Sequence, residues 1–168
     1  MNPYLSILST TLARWQSLAE NIPADLLRRR PAPAEWSALE CLLHLIDTER
    51  YVFPVRVRAF LNEQNLQAFD PETQGAKLDE HTTPAELVQK FFVLRRESLA
   101  LLASLTPGDL SRTSHHSELG PVTLEQMLNE WAAHELDHTI QAERALMQPF
   151  IDACGPWQVY FQANRIST

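Results

Sequence analysis

Apolar residues recur every three or four positions along most of the chain, which is the spacing of an amphipathic α-helix. The first stripe of this kind predicts a helix over residues 3–20. Its apolar positions are Tyr4, Ile7, Leu8, Leu12, Trp15 and Leu18. Prolines at Pro23, Pro31 and Pro33 then interrupt the pattern. Because proline lacks the backbone N–H that a helix interior uses, these residues mark a turn.

A second helix is predicted from about Glu35 to about Asn62. Ser37 is a suitable N-cap, and Glu40 stands at the position that completes a capping box. Pro54 lies inside the predicted helix and should kink it, because proline removes a helical hydrogen bond. The second helix is therefore expected to have two straight parts.

The remaining stripes predict two more long helices, separated by polar connections. Residues 63–82 indicate a long loop, which is uncommon without a functional reason. A third helix is predicted from the cap at Thr83 to about Leu105, with proline in its first turn. A fourth helix follows the cap at Thr123 and extends to about Met147.

These elements predict an all-α protein, specifically a four-helix bundle. Valine-rich alternating runs are absent from the sequence, so we expect little or no sheet. Neither a repeat nor a second domain is evident, and residues 1–168 are interpreted as one domain. Pro149, Gly155 and Pro156 predict an irregular tail from about residue 148.

Composition narrows the possible partners. The formal net charge is −7 and the isoelectric point is about 5.3, which disfavours nucleic acid and anionic membranes as ligands. No apolar run approaches the ~20 residues that span a bilayer, and the N-terminus lacks the pattern of a secretion signal. Two cysteines, Cys41 and Cys154, do not suggest a disulfide framework. We therefore expect a cytoplasmic protein that binds neither nucleic acid nor membrane.

The segment HELDH, residues 134–138, matches the H-E-x-x-H pattern of zinc peptidases. Those enzymes need a third ligand, often a downstream glutamate, but no glutamate follows Glu143. The extended pattern with a later glycine and histidine is also missing. Peptidase activity is therefore not expected, and Glu135 is interpreted as an ordinary helix-forming residue.

Three histidines nevertheless have positions that suit a shared metal ion. His134 and His138 are one helical turn apart on the inward stripe that also carries Trp131. His44 lies beside the apolar stripe of the second helix, and neighbouring bundle helices are roughly 8–10 Å apart. Three neutral imidazoles suit zinc, nickel or another divalent transition metal. At this point they could equally be hydrogen-bonded core residues.

The other polar residues near these histidines are open to two interpretations each. Asp47 and Glu130, one turn from His44 and His134, could orient a ligand imidazole from the second shell or be exposed acids. Trp36 is expected to pack at the start of its helix rather than to line a pocket, and Cys41 to be a small core residue rather than to reach the site of His44. The histidines outside the inward stripes are expected to be exposed: His81, His115 and His116.

Two segments together resemble the DinB-like superfamily, which also includes the bacillithiol transferases related to YfiT. They are EWSALECLLHLIDTE on the second helix and NEWAAHELDHTIQAE on the fourth. The resemblance extends from about residue 5 to 147. It implies that the second and fourth helices are neighbours and that His44, His134 and His138 bind a metal. It also implies a homodimer.

For activity, the resemblance implies a metal-dependent, thiol-dependent S-transferase or a relative of one. The metal would be zinc or nickel, and the partners a low-molecular-weight thiol and a small electrophile. No catalytic residue is assigned by the sequence. Arg50, Arg56 and Arg58 are candidates for binding the carboxylates of a thiol, or they only solvate the helix surface. The alternative is a non-catalytic bundle, with a metal-binding or vestigial site, that acts through dimerisation.

Overall fold

Long helices dominate the computed structural model, which describes residues 3–166. In chain order the elements are α1 (Pro3–Asn21), α2 (Ala24–Arg28), α3 (Ala38–Tyr51), α4 (Phe53–Leu61), α5 (Pro71–Gln74), α6 (Pro84–Ala103), β1 (Thr113–His116), β2 (Gly120–Thr123) and α7 (Leu124–Ala153). Short 3₁₀ segments cover Asp109–Ser111 and Gly155–Asn164. No helix within the described residues is long and apolar enough to cross a membrane.

The long helices form a bundle in which chain neighbours are not packing neighbours. Helices α1 and α3 each pack against both α6 and α7. Consequently α1 and α3 occupy opposite corners, and so do α6 and α7. This arrangement confirms the four-helix bundle and the adjacency of the second and fourth long helices. That adjacency brings the histidines of α3 and α7 to one interface.

Capping boxes fix where the two histidine-bearing helices begin. Ser37 Oγ accepts a hydrogen bond from the Glu40 N–H, and Glu40 Oε2 accepts one from the Ser37 N–H. The same reciprocal pair joins Thr123 and Gln126 at the start of α7. Each box satisfies two backbone donors that would otherwise lack partners. The predicted caps are confirmed, and they set the positions at which His44 and His134 leave their helices.

The second predicted helix is broken where Pro54 required it. Helix α3 ends at Tyr51, and α4 begins at Phe53. Val52 between them has φ −117° and ψ −78°, which are distorted from the regular helical values of about −63° and −42°. The Phe53 ring stacks on Trp131 of α7 at 4.9 Å between centroids. The break therefore directs α4 so that its first residue packs into the core.

The C-terminal helix is longer than the pattern predicted. It continues through Pro149 to Ala153 instead of ending near Met147. Proline removes one backbone donor, but Gln148 and Ile151 on this last part are buried and pack it in place. The following 3₁₀ segment runs back beside α7, where Gln148 Nε2 donates to the Asn164 carbonyl at 2.9 Å.

The connection between α6 and α7 contains a small antiparallel hairpin of β1 and β2, in which Thr113 lies opposite Thr123. Leu66 from the long loop pairs with this hairpin through backbone hydrogen bonds to His115 and Ser117. The prediction that His116 is exposed was wrong, since only 6% of its surface is accessible. The hairpin turns His116 inward, whereas its neighbour His115 is exposed, as is His81.

A polar layer divides the core into two apolar clusters, one around Trp131 and Phe60, the other around Trp15 and Phe91. Between the two clusters lie three buried charged residues from three helices: Glu49 of α3, Arg95 of α6 and Glu135 of α7.

Arg95 of α6 is fully buried at the centre of this layer. Its Nε donates to Glu49 Oε1 at 2.8 Å, its Nη2 to Glu135 Oε2 at 2.6 Å, and its Nη1 to the Leu8 carbonyl at 2.7 Å. The guanidinium of Arg95 thus links α6 to α1, α3 and α7 by hydrogen bonds. All four long helices meet at this residue.

Candidate metal centre

The structure brings the three predicted histidines together. His44 projects from α3, and His134 and His138 project from α7. One ring nitrogen of each lies within 4.8 Å of the others. The Nε2 atoms of His44 and His134 are 3.0 Å apart. The cluster exists because capping fixes the two helices and the bundle makes them neighbours.

Burial makes two of these imidazoles neutral at ordinary pH. Burial is the main cause that lowers the pKa of His44 to about 4, with a contribution from His138. Burial likewise lowers the pKa of His134 to about 3, with contributions from the other two histidines. A neutral imidazole carries the free lone pair that a metal needs.

The donor set fits a divalent transition metal. Metal–nitrogen bonds of about 2.0–2.1 Å place two tetrahedral ligands roughly 3.3 Å apart. The 3.0 Å separation of His44 and His134 is close to that value without any change of helix position. Three histidines leave at least one coordination position for a ligand from solution. Metal binding at these residues stays a prediction.

Gln141 is the residue that orients a ligand imidazole. Its Oε1 lies 2.8 Å from His138 Nδ1, which assigns the ring proton to Nδ1 and leaves Nε2 for a metal. Asp47 is buried, and its Oδ2 accepts the Ala76 N–H at 2.7 Å. Glu130 is exposed and lies 3.6 Å from Arg56. Within the described residues, neither carboxylate hydrogen bonds to a ligand histidine.

Aromatic rings surround the histidines, and Trp36, which was expected to pack at the start of its helix rather than to line a pocket, lines both of the pockets that border the cluster. The Trp36 ring stacks on His138 with centroids 5.7 Å apart and lies 5.0 Å from His44. Phe53 contacts His134 edge to face at 5.1 Å. In the sequence, Trp36 directly precedes Ser37, the N-cap of the helix that carries His44, and this position was the available indication that it lies near the site. These rings pack directly against the three imidazoles.

Glu135 cannot act as the general base that the H-E-x-x-H pattern provides in peptidases. Its side chain is 1% exposed and is bonded to Arg95, in the polar layer of the bundle. Glu135 therefore has a structural role, and its interpretation as an ordinary helix-forming residue was wrong. A buried polar partner from another helix leaves no local sequence pattern, so this role was not visible in the sequence.

Two pockets border the histidine cluster. A cavity of about 520 Å³ borders His138, and another of about 340 Å³ borders His44. Ala34, Trp36 and Glu72 line both, so the two pockets adjoin along these residues. The arginines predicted as candidates for a carboxylate, Arg50, Arg56 and Arg58, line neither pocket. Arg144 lines the larger one.

The depressed histidine pKa values predict acid sensitivity of the metal-free protein. In the unfolded chain both imidazoles titrate near pH 6.5, so below that pH the unfolded state binds more protons. Above pH 6.5 both imidazoles are neutral in the folded and the unfolded state, so the free energy of unfolding has its full value there. Below pH 6.5 the free energy of unfolding decreases, and the decrease continues until the pH reaches the folded-state pKa, about 4 for His44 and about 3 for His134.

Urea unfolding of chelator-treated protein between pH 7 and 4 measures this loss, at most about 1.4 kcal/mol per pH unit for each site. The His134→Gln variant should show a shallower slope. An unfolding free energy that is flat from pH 6.5 to 4.5 would contradict the prediction.

Comparison with known sequences identifies relatives. The model of the DinB superfamily matches residues 7–142. "Putative metal-dependent hydrolase OB0782" of Oceanobacillus iheyensis is 26% identical over 106 residues, which are 61% of this chain and 60% of that protein. The uncharacterised YuaE of Bacillus subtilis is 26% identical over 144 residues, 77% of this chain and 88% of its own. The chain thus spans about three fifths of the Oceanobacillus relative.

Solved structures share the fold. YfiT from Bacillus subtilis, described as a probable metal-dependent hydrolase with an unusual four-helix bundle topology, superposes with a TM-score of 0.73 at 20% identity. The match covers 88% of this chain and 86% of YfiT. A DinB-like protein of the same organism, YjoA, gives a TM-score of 0.60 at 21% identity, over 89% and 93% of the two chains. At these identities the likeness establishes the fold alone.

Proposed function

The chain belongs to the DinB superfamily, and from the geometry of its histidines we propose that it is a metal-dependent thiol transferase. In this function a divalent ion, zinc or nickel, is held by His44, His134 and His138. The observation that carries the proposal is that two adjoining pockets border this one cluster, one at His138 and the other at His44. A transferase must bring two reactants to one centre, and these pockets provide a place for each.

A divalent ion in this position would lower the pKa of a bound thiol, so that a thiolate nucleophile forms at neutral pH. The histidines contribute neutral ligands, and the Gln141 bond fixes the His138 ring. Trp36 packs against the rings of His44 and His138.

Asp47 is the proposed acceptor of the thiol proton. It lies in the His44 pocket, and burial raises the pKa of its carboxyl, although the Ala76 N–H and Arg50 oppose the shift. A carboxylate with a raised pKa is a better base near neutral pH. In the proposed reaction the S–H proton goes to Asp47, sulfur bonds to the electrophilic carbon, and the leaving group departs with its bonding pair.

Two pockets also favour catalysis over the alternative of a non-catalytic bundle, since a storage or vestigial site needs no access for substrates. Hydrolysis, the activity in the names of two relatives, would use water in place of the thiol. The expected homodimer and the cytoplasmic location stay predictions.

The test of the proposal is a turnover assay with zinc- or nickel-loaded protein. Glutathione, cysteine and coenzyme A are each combined with 1-chloro-2,4-dinitrobenzene, in which chloride is the leaving group. We expect thioether formation that is lost on chelation and in His44→Ala, and is retained in His115→Ala, which alters an exposed histidine outside the cluster.

Ester hydrolysis without added thiol, using 4-nitrophenyl acetate, distinguishes the competing activity. Metal-dependent hydrolysis with no thiol transfer would replace the proposal by a hydrolase. Absence of both activities, with metal bound, would favour the non-catalytic alternative.

A further inference from the structure

A separate pocket lies between α4, the long loop, the β1–β2 hairpin and the start of α7. Its volume is about 460 Å³, and it shares no lining residue with the two pockets beside the metal centre. Apolar side chains form much of its wall, among them Leu66, Phe69, Leu119, Val122 and Met127. Arg56 and His116 also line it, and both side chains are largely buried.

Hydrogen bonds with the backbone indicate which ring nitrogen of His116 carries the proton. His116 is buried, and its Nδ1 accepts the N–H groups of Glu118 at 3.2 Å and Leu119 at 3.4 Å. Burial, together with the charge of Arg56, lowers the pKa of His116, so the imidazole is neutral at pH 7. A neutral imidazole has one N–H, and because Nδ1 is the acceptor, the proton is on Nε2.

The Nε2–H of His116 consequently faces another donor. It lies 3.2 Å from Nη2 of Arg56, and a guanidinium cannot accept a hydrogen bond. Arg56 Nη2 also donates to the Gln67 carbonyl at 3.0 Å, whereas Glu130 Oε2 is 3.6 Å from Nη1. Within residues 3–166, no acceptor lies between His116 Nε2 and Arg56 Nη2. Leaving two buried donors against each other is costly unless an acceptor is supplied.

A carboxylate is the acceptor that suits this place. Its oxygens can accept from both the guanidinium and the imidazole N–H, and the bond to arginine is charge-assisted. Glu118 and Glu130 line the same pocket, so a single negative charge is more favourable here than the double charge of a phosphate. The apolar wall next to the two donors can bury a hydrocarbon chain.

We propose that this pocket binds a monocarboxylate with an apolar chain, whose carboxylate accepts hydrogen bonds from Arg56 and His116 and whose chain lies against the loop, the hairpin and α7. The site contains none of the three clustered histidines. It is therefore independent of the proposed transferase, and either assignment can fail without the other.

Calorimetry on the full chain with an acid and its amide tests this site. Octanoate carries the charge, and octanamide has the same chain without it. We expect octanoate to bind at least about tenfold more tightly than octanamide, since charge-assisted hydrogen bonds are lost in the amide. Hexanoate and butanoate should bind progressively more weakly, by up to about fourfold for each methylene removed, because less apolar surface is buried.

Variants of the lining residues test which side chains hold the carboxylate. Arg56→Gln should bind octanoate and octanamide equally, and Arg56→Lys should retain part of the preference. Glu130→Gln should bind octanoate several-fold more tightly than the parent, because it removes a negative charge that competes for Arg56. Arg58→Gln is the matched control, since Arg58 is exposed on the same helix and lies outside the pocket.

The metal centre is the other place where a carboxylate could bind, and it is excluded by two comparisons. Octanoate should bind equally to zinc-loaded and chelator-treated protein, and equally to the parent and His44→Ala. Binding that requires zinc, or that is lost in His44→Ala, would place the carboxylate on the metal and overturn the inference.

Nitrogen NMR of the His116 ring checks the premise directly. In the ligand-free parent we expect the proton on Nε2 and a free lone pair on Nδ1. A proton on Nδ1 would make Nε2 the acceptor for Arg56 and overturn the inference. It is likewise overturned if the parent does not bind octanoate, if it binds acid and amide equally, or if Arg56→Gln weakens both to the same extent, which is the result of a purely structural role.

Discussion

Replacement of Arg95 by methionine is expected to reduce the free energy of unfolding by about 3–5 kcal/mol, which is the effect of removing one partner from a buried ion pair. Methionine occupies a similar volume, so the loss is mainly electrostatic. Glu49 and Glu135 would remain buried in the polar layer without the positive charge between them. The Leu8 carbonyl would also lose its donor. Four helices would each lose a contact at one point.

Urea unfolding at pH 7 measures this loss, and two variants test its cause. Arg96→Met changes the exposed neighbour on the same helix and should alter stability by less than about 0.5 kcal/mol. The triple variant Arg95→Met, Glu49→Leu and Glu135→Leu should recover most of the stability, because apolar side chains can replace a buried ionic group. A cost below about 1 kcal/mol for Arg95→Met would show that the charges are compensated in another way.

The charged layer also shows which part of the fold was accessible from sequence. Local signals were sufficient for the helices: the Ser37 and Thr123 caps are determined by residues three positions away. The break at Pro54 follows from the covalent structure of proline. Such features need no knowledge of the tertiary structure, and all of them were predicted correctly.

The errors concern residues whose environment is set by distant parts of the chain. Glu135 is separated from Arg95 by 40 positions, and its burial depends on the order in which the helices pack. His116 is buried because the hairpin and the long loop pair with each other. Helix α7 continues past Pro149 because the returning tail packs against it. In each case tertiary contacts overrode the local preference.

The candidate site was predictable in part, because some of its features are set by local sequence and others by tertiary contacts. The spacing of His134 and His138 is a local signal, whereas the approach of His44 required the adjacency of α3 and α7, which the family resemblance supplied. Gln141 follows His138 by three residues, so both lie on one face of α7, but the bond between their side chains depends on side-chain orientation. Arg144 was not noticed because the pocket that it lines forms only when α7 meets loop residues distant in sequence, such as Ala34 and Glu72.

The second large effect is expected in metal content. Protein purified without a histidine tag should contain about one equivalent of zinc or nickel, and His44→Ala and His138→Ala should each lose it, because two imidazoles seldom retain a divalent ion. Elemental mass spectrometry measures the content. His115→Ala is the matched control, since His115 is exposed and lies outside the cluster. Gln141→Ala should retain the site but bind metal about 10–100-fold more weakly.

Metal binding should also appear as stability, which separates a native site from adsorbed ions. An ion that binds only the folded state, at a concentration one hundred times its dissociation constant, stabilises by about 2.7 kcal/mol. The parent and His115→Ala should both show this gain, and the two cluster variants should not. Metal that remains bound in His44→Ala and His138→Ala would place the ion elsewhere. Absence of metal from the parent, even after incubation with zinc and nickel, would make the three histidines core residues and remove the basis of the proposed transferase.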